Sequence, residues 1–264
     1  MKRRMIISTA WISLIAVVLL IGPFLLKHDP YKTNMREAFQ KPSAAHICGT
    51  DNLGRCIFCR IIAGGRTSVF TALVVVALSA VIGIFLGILA GYLGGIVDEI
   101  ISDIITIFQA FPSFVLAIAI AGILGQDIKN AIIALCAVYW ITYAKLARSL
   151  VQQIRADNYV KAAWLCGADH LSIFWKYIIP GIAGTMIITV MLDIGSVILS
   201  MAGLSFLGLG AVRPTAEWGT VMSEARDYLQ KAPWIIGFNG VALFLVVIGF
   251  NLFGEAIEEK INHL

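Results

Sequence analysis

The chain has 264 residues, of which 59 % are hydrophobic and only 14 % are charged, with a formal net charge of +4. Ordinary soluble domains are ~45–50 % apolar and ~25 % charged, so this composition indicates an integral membrane protein. The basic residues form no cluster with interleaved aromatic residues, which argues against a nucleic-acid-binding protein.

Six apolar stretches are long enough to cross a bilayer, and the sequence therefore predicts an all-α integral membrane fold with about six transmembrane helices. The first stretch follows a basic N-terminus, which favours a cytoplasmic N-terminus and, with six spans, a cytoplasmic C-terminus. Lys and Arg are divided almost evenly between the two sides of this topology, so charge alone does not fix the orientation. The predicted spans cover about residues 5–26, 69–90, 101–124, 131–150, 180–204 and 234–253.

This topology divides the chain into two parts. Residues 1–66 contain the first transmembrane helix and an extracytoplasmic segment, and residues 67–264 contain five further spans. The extracytoplasmic segment includes Cys56 and Cys59 in CxxC spacing. A second cysteine pair for tetrahedral zinc is absent, and so is the strand–helix–strand pattern of thioredoxin-like sites. Helical spacing on an apolar face is therefore the expected reason for the pair.

The second predicted span carries glycines at every fourth position, which places them in one stripe along a helix. Small residues in such a stripe allow close helix packing in lipid, where no hydrophobic force drives helices together. The packing partner could be another helix of this chain or a second subunit. The stripe consists of Gly83, Gly87, Gly91 and Gly95.

Two carboxylates lie within or beside the predicted spans. Asp193 is thirteen residues past Pro180, or roughly 20 Å into the fifth span at 1.5 Å per residue. A carboxylate at that depth costs about 2.5–3.5 kcal/mol unless it faces water or a partner. Asp193 is thus a candidate for a translocation path, and an ion pair or a hydrogen-bonded helix junction is an equal alternative. Asp103, near the start of the third span, is the second candidate.

The segment between the fourth and fifth spans is amphipathic instead of uniformly apolar. Apolar residues at helical spacing flank Gly167, which predicts two short helices joined by a left-handed turn. Asp157 and Asp169 can cap the two helices, and Pro180 suits the first turn of the next span. The sequence reads Lys161-Ala162-Ala163, three residues, Gly167, nine residues, and Tyr177-Ile178-Ile179-Pro180.

This spacing resembles the cytoplasmic loop of ATP-binding-cassette importers, which reads Glu-Ala-Ala, three residues, Gly, nine residues, and Ile-x-Leu-Pro. Lys161 stands where glutamate is usual, and Tyr177 and Ile179 replace isoleucine and leucine. The loop of that family docks into a partner ATPase, so the resemblance implies a permease subunit with a coupling loop at about residues 151–179. The coupling residues so implied are Lys161, Ala162, Ala163, Gly167 and Pro180.

Two further stretches resemble signatures of peptide- and nickel-type permeases. Residues 49–55 resemble the family motif Gly-Thr-Asp-x-x-Gly-Arg-Asp, with Cys56 in place of the last aspartate, and residues 66–68 resemble the Arg-Thr-Ser that opens the next span. Residues 204–219 resemble Leu-Ser-Phe-Leu-Gly-Leu-Gly followed by Pro-x-x-x-Trp-Gly. The matching signature residues include Gly49, Thr50, Asp51, Gly54, Arg55, Gly208, Gly210, Trp218 and Gly219.

The resemblance implies a prokaryotic cell-membrane assembly containing a sister permease as heterodimer partner, two cytoplasmic ATPases and an extracytoplasmic substrate-binding protein. No Gly-x-x-x-x-Gly-Lys-Ser/Thr loop occurs in the chain, so ATP and Mg are expected on the partner ATPases. This chain is expected to be a permease, not an enzyme, with no bound cofactor or metal.

The residues of these motifs resemble nickel-type members more closely than dipeptide-type members, which implies transport of nickel or a related metal or chelate. An oligopeptide or dipeptide is the alternative cargo. An intramembrane enzyme or proton-coupled carrier using Asp193 is a more distant alternative.

Overall fold

The computed structural model describes residues 2–261, and most of them are helical. Within this range the only β-pairing is an isolated bridge between Thr50 and Cys56. The α-helices are α1 Lys2–Ile21, α2 Ile57–Leu93, α3 Gly95–Gln109, α4 Ser113–Leu124, α5 Ile128–Ala156, α6 Asn158–Leu165, α7 His170–Ile173, α8 Ile179–Phe206, α9 Trp218–Ala225 and α10 Pro233–Ile261.

Five helical stretches are long and apolar enough to cross a membrane, and α3 with α4 forms a bent pair that makes a sixth. The prediction of an all-α membrane fold with about six spans is therefore confirmed. The chain termini themselves lie outside the described residues. The five continuous stretches are Arg3–Phe24, Ile57–Leu93, Ile128–Ala156, His170–Phe206 and Pro233–Ile261.

The third predicted span is the one that departs most from a straight helix. The chain bends by 87° between α3 and α4, at Pro112. Proline has no N–H to donate and disfavours helical geometry in the residue before it, so the helix ends there. The 12 residues of α4 rise only about 18 Å, which is too short to cross a bilayer alone. Residues 101–124 are therefore two helices at a sharp angle.

The glycine stripe of α2 packs against α5 of the same chain. A Cβ added at Gly83 would lie 2.2 Å from the carbonyl oxygen of Trp140, and one at Gly87 would lie 2.3 Å from that of Ala144. Gly95 has no neighbour within 4 Å of such a Cβ, so the packed part of the stripe ends one turn earlier. The intrachain alternative is thus the one observed for this surface.

The fifth span is longer than predicted because it continues the preceding short helix without a break. Residues His170–Phe206 form one helical stretch, and Phe174–Ile178 within it is a π-helical turn. A proline inside a helix clashes with the carbonyl of the fourth residue before it, and a wider turn relieves that clash. Pro180 is the second residue of α8, in its first turn as predicted, and α8 follows the widened turn without a break.

The two ends of the helix bundle have different structures. One end carries residues 158–178, which we call the two-helix segment. The opposite end carries residues 34–56 and 210–228, which we call the distal cap. Helix α2 begins in the distal cap and runs to the other end, so the proposed division at residue 66 lies inside a continuous helix.

Candidate functional site

The two-helix segment turns at Gly167, as the spacing predicts. Gly167 has φ +84°, a left-handed conformation that glycine adopts without steric cost. Its N–H donates to the carbonyl of Trp164 at 3.0 Å, and the N–H of Ala168 donates to that of Ala163 at 3.0 Å. This pair of hydrogen bonds closes the C-terminus of α6 in a Schellman arrangement and fixes the direction of the chain toward α7.

The two predicted helix caps differ in the structure. Asp169 caps α7, because its Oδ1 accepts a hydrogen bond from the backbone N–H of Ser172 at 3.3 Å. Hydrogen bonds from Ser172, chiefly from its side chain, lower the pKa of Asp169. Asp157 stands at the N-cap position of α6, but its side chain accepts no capping hydrogen bond. The prediction of a side-chain cap at Asp157 is therefore wrong.

One side of the two-helix segment is anchored in the bundle. Val160, Ile173 and Ile178 are all fully buried, and they join a cluster that includes Val151 of α5 and Ile182 of α8. Burying side chains of this size contributes about 1.5–3 kcal/mol each. This side of the segment is therefore packed firmly against the ends of the transmembrane helices.

The other side leaves large apolar side chains in the open. Leu165 is 90 % exposed, Leu171 is 66 % exposed and Trp175 is 61 % exposed. Lys161 and Ala162 are exposed on α6, and Ala163 is half-buried against the anchoring cluster. Several large apolar side chains left exposed on one short segment are typical of an interaction surface. The segment therefore pairs an anchored face with an uncovered one.

Polar and aromatic contacts tie the segment to the end of α2. The Tyr92 hydroxyl lies 2.9 Å from Nδ1 of His170 and donates to the carbonyl of His170 at 3.2 Å. The Arg155 guanidinium lies 5.4 Å from the centre of the Tyr92 ring and donates to the carbonyl of Gly91 at 3.0 Å. Sequence reasoning did not identify Tyr92 or Arg155. Their positions at the ends of two predicted spans are the only signal that could have indicated them.

Asp193 lies inside the bundle, on the middle of α8. Its Oδ2 atom is buried and has no hydrogen-bond partner among the described residues, and the same is true of the Tyr143 hydroxyl on α5. These two groups interact electrostatically across the helix interface, and a turn away Tyr139 and Ser200 share a hydrogen bond of 2.9 Å. No Lys or Arg among the described residues forms a salt bridge with Asp193. The structure does not bring it together with Asp103, which is exposed on α3.

Residues of the first permease-like signature build a buried ion-pair network in the distal cap. Asp51 accepts from the Arg55 side chain at 2.6 Å, and Arg55 also donates to Glu224 at 2.6 Å. Arg60 of α2 reaches Glu224 at 3.2 Å and is fully buried. Each buried charge has a partner of opposite sign, and this pairing offsets the cost of removing the charges from water. The cap is thereby joined to the first turns of α2. Gly49, Thr50 and Gly54 form its turns around Asp51.

The second signature is joined to α2 in a similar way. Glu217 is fully buried and accepts hydrogen bonds from Ser68 at 2.9 Å and from the N–H of Thr220 at 2.9 Å. The Trp218 indole donates to the carbonyl of Ile61 at 2.9 Å. A Cβ at Gly219 would lie 2.1 Å from the carbonyl oxygen of Ala202, so only glycine fits there. Gly208 and Gly210 lie in the turn that leaves α8.

The signature residues thus hold the distal cap together. Among residues 2–261, no group of three or more His, Cys, Asp or Glu side chains is arranged to hold a metal ion. The described residues thus offer three features that could serve a function. One end of the bundle has an exposed apolar surface, the middle has a buried carboxylate, and the other end has a cap that is held in place by buried contacts.

Comparison with known proteins gives a consistent assignment. A family model described as "Binding-protein-dependent transport system inner membrane component" matches residues 83–263. The nickel transport system permease protein NikC of Escherichia coli (strain K12) is 36 % identical over 251 residues, covering 95 % of this chain and 91 % of that protein. The probable D,D-dipeptide transport system permease protein DdpC of the same strain is 38 % identical over 255 residues, covering 97 % and 86 %.

A third relative and one solved structure extend the comparison. The dipeptide transport system permease protein DppC of Alkalihalophilus pseudofirmus is 38 % identical over 258 residues, covering 98 % of this chain and 84 % of that protein. A chain of the MetNI methionine ABC transporter in inward facing conformations has a TM-score of 0.58 at 17 % identity, covering 74 % of this chain and 94 % of that one. That likeness shows the fold. The chain belongs to the family of binding-protein-dependent transport system inner membrane components.

Proposed function

We propose that this chain is a permease subunit of an ATP-driven importer and that its two-helix segment is the surface on which a partner ATPase docks. The observation that carries this proposal is the contrast between the two faces of that segment. Three of its apolar residues are fully buried in the bundle, whereas Leu165, Leu171 and Trp175 are left exposed at the tip.

The same segment supplies a route by which a docked ATPase would move the membrane helices. The segment continues directly into α8, because His170–Phe206 is one helical stretch. It is also tied to α2 through the Tyr92–His170 hydrogen bond. A push on the exposed tip would therefore displace α8 and α2 together, and rigid-body tilting of such packed helices is a common way to alternate access. Asp193 lies on the helix that would move.

The cargo we propose is nickel or a related metal, free or chelated, with an oligopeptide or dipeptide as the second candidate. The relatives support both, since NikC is named for nickel and DdpC and DppC for dipeptides. Asp193, which forms no salt bridge with a Lys or Arg among the described residues, can attract a metal cation or the ammonium group of a peptide. Asp103 remains the second candidate for the path. Family membership favours the importer over an intramembrane enzyme or a proton-coupled carrier.

The assembly that this function requires contains three kinds of partner at a prokaryotic cell membrane. We propose a sister permease as heterodimer partner, two ATPases that bind ATP and Mg, and an extracytoplasmic substrate-binding protein, all arranged around the lipid-embedded bundle. The two-helix segment and both termini would face the cytoplasm, and the distal cap would face the binding protein.

Replacing one exposed leucine tests the docking surface. Leu165→Asp places a charge in the apolar contact, so co-purification with the ATPase and ATP-dependent uptake should both fall sharply while membrane insertion stays intact. Leu229→Asp is the matched control, because Leu229 is 51 % exposed and lies next to the distal cap. Equal ATPase binding by the two variants would contradict the proposal.

Labelling with an impermeant thiol reagent tests the orientation. In a cysteine-free background, Ser43→Cys should react from outside the cell and Ser172→Cys only after permeabilisation. The reverse pattern would contradict the topology.

A separate measurement decides the cargo. The cognate binding protein is titrated with Ni²⁺, with a Ni²⁺ chelate and with dipeptides, and the solute that binds is then tested for uptake.

A further inference from the structure

Three cysteines are buried close together where the distal cap meets α2. Cys48, Cys56 and Cys59 are 6 %, 5 % and 2 % exposed, and all three are free thiols. Their burial is not explained by the packing of an apolar helix face alone, because Cys48 comes from the cap and the other two from the start of α2. Neither the proposed transport nor the ATPase docking uses them.

The CxxC pair occupies the first turn of a long helix. Cys56 is the N-cap residue of α2, which has 37 residues, and Cys59 lies one turn further along. Residues three apart at a helix start face the same side, within the range that a disulfide can bridge after a small adjustment. The unpaired N–H groups and the positive end of the helix dipole favour a thiolate at the first position. This is the arrangement in which a CxxC pair is most reactive.

A buried histidine adjoins the pair. His46 is 5 % exposed, and its Nδ1 atom has no hydrogen-bond partner among the described residues. Its Nε2 atom lies 3.4 Å from Glu37, and its ring is 5.0 Å from that of His28. Hydrogen bonding by the Cys59 thiol, with a smaller contribution from His46, lowers the pKa of Cys56 against the opposing effect of burial. By contrast, burial raises the pKa of Cys48.

We propose that Cys56 and Cys59 form a redox-active dithiol, with Cys56 as the attacking thiol. The Cys56 thiolate attacks an external disulfide, such as glutathione disulfide or the disulfide of a thiol oxidoreductase, and one thiolate leaves. Cys59 then loses its proton to water and attacks the Cys56 sulfur, whereas His46 acts on the first step by favouring the Cys56 thiolate. The second thiolate leaves, so two electrons pass from the pair to the external disulfide.

The surroundings fit a dithiol better than a metal site. Within residues 2–261 no three-ligand group is arranged for a metal, although cysteine and histidine are near one another. The thiols lie one layer below the surface, beside Ile47 and Phe58, which are 64 % and 37 % exposed. An external disulfide reaches the thiols while the cap folds, or during the rare local openings that packed regions of folded proteins also undergo. The inference does not depend on the transport function.

The test uses the full chain in lipid nanodiscs, equilibrated with mixtures of reduced and oxidised glutathione and then alkylated and digested. In oxidising mixtures, we expect a peptide in which Cys56 and Cys59 have lost two hydrogens and resist alkylation, while Cys48 remains alkylatable after denaturation. Reducing mixtures should reverse this. Cys166, which is exposed, serves as the internal control and should form only a mixed disulfide with glutathione.

Two variants assign the roles within the pair. Cys59→Ser should trap Cys56 as a mixed disulfide with glutathione, whereas Cys56→Ser should leave Cys59 unmodified. His46→Gln should slow formation of the Cys56–Cys59 bond in an otherwise native chain. The glutathione equilibration of the native chain tests the proposal even if a variant does not fold.

Three results would overturn the proposal. The first is a native chain that forms no Cys56–Cys59 bond although Cys166 becomes glutathionylated. The second is a bond between Cys48 and either partner in place of the expected one. The third is protection of all three thiols by Ni²⁺ or Zn²⁺ without loss of hydrogens, which would indicate a metal site instead.

Discussion

The two ends of this bundle are built in opposite ways. In the distal cap, charged side chains are buried in pairs, as where Arg60 is fully buried against Glu224. In the two-helix segment the charges are exposed, and large apolar side chains such as Leu165 are exposed with them. The cap thus pairs its buried charges within the chain, whereas the segment leaves apolar surface uncovered. This contrast is the reason for which we propose that a partner ATPase covers the segment, whereas the distal cap is held by contacts within the chain.

The two regions also differ in how they meet the transmembrane helices. The cap is joined to the start of α2 by the Arg60, Ser68 and Trp218 contacts, all of them buried. The segment is joined to the other end of α2 by the partly exposed Tyr92–His170 pair. The predictions below test this difference, from the largest expected effect on stability to the smallest.

Removing the central acid of the cap should have the largest effect. Glu224→Ala leaves Asp51 as the remaining acid beside the two buried cations Arg55 and Arg60, and breaking a buried ion pair in this way costs about 3–5 kcal/mol. We expect a large fall in melting temperature and in the yield of folded protein in detergent. The control is Arg213→Gln, because Arg213 contacts the same acid at 3.4 Å but is 71 % exposed and contributes about 0–1 kcal/mol. Similar losses in both variants would contradict a locked cap.

Adding one methyl group to the glycine stripe should have the next largest effect. In Gly87→Ala the new Cβ would lie 2.3 Å from the carbonyl oxygen of Ala144, which forces α2 and α5 apart and costs about 1–3 kcal/mol. Gly237→Ala on α10 is the control, since no atom lies within 4 Å of its Cβ position. It should be neutral or slightly stabilising in thermal unfolding. A destabilised control with a normal Gly87 variant would show that the stripe is not a packing surface.

Gly167→Ala should alter coupling more than stability. The left-handed conformation costs a non-glycine residue about 1–2 kcal/mol, and no neighbour lies within 4 Å, so the strain stays in the turn. We expect uptake per ATP hydrolysed to fall in proteoliposomes, with little change in melting temperature. Gly125→Ala carries the same backbone strain, with φ +88°, at the other end of the bundle. An equal loss of coupling in both variants would count against the segment as the site of transmission.

Asp193→Asn should have the smallest effect on stability. The amide keeps the shape of the side chain, and no described cation is left without a partner. Loss of one charge-assisted contact with the cargo, about 1.5–3 kcal/mol, corresponds to roughly a ten- to hundredfold loss of affinity. We therefore expect weak uptake at normal yield. Normal uptake would remove Asp193 from the path, and a collapse in yield would reveal a structural partner outside the described residues.

The sequence predicted the helices well and their ends less well. Apolar stretches fixed the number of spans because a bilayer imposes a minimum length on any helix that crosses it. The early start of α2 was missed because Arg60, the Gly64-Gly65 pair and Arg66 interrupt the apolar pattern of its first turns. The bend at Pro112 was visible as a proline, but its angle depends on the packing of α3 and α4 against their neighbours.

Local sequence alone determined the membrane class, the glycine turn at 167 and the permease-like motifs, because spacing and backbone preference act between residues near in the chain. Only the tertiary structure decided what those residues touch. It paired Arg60 with Glu224, 164 residues away, and it placed the α2 glycines on α5 instead of on a second subunit. It also gathered Cys48 and His46 around a CxxC pair that appeared unremarkable in sequence. Such contacts depend on how whole helices pack, which periodicity along a single chain does not encode.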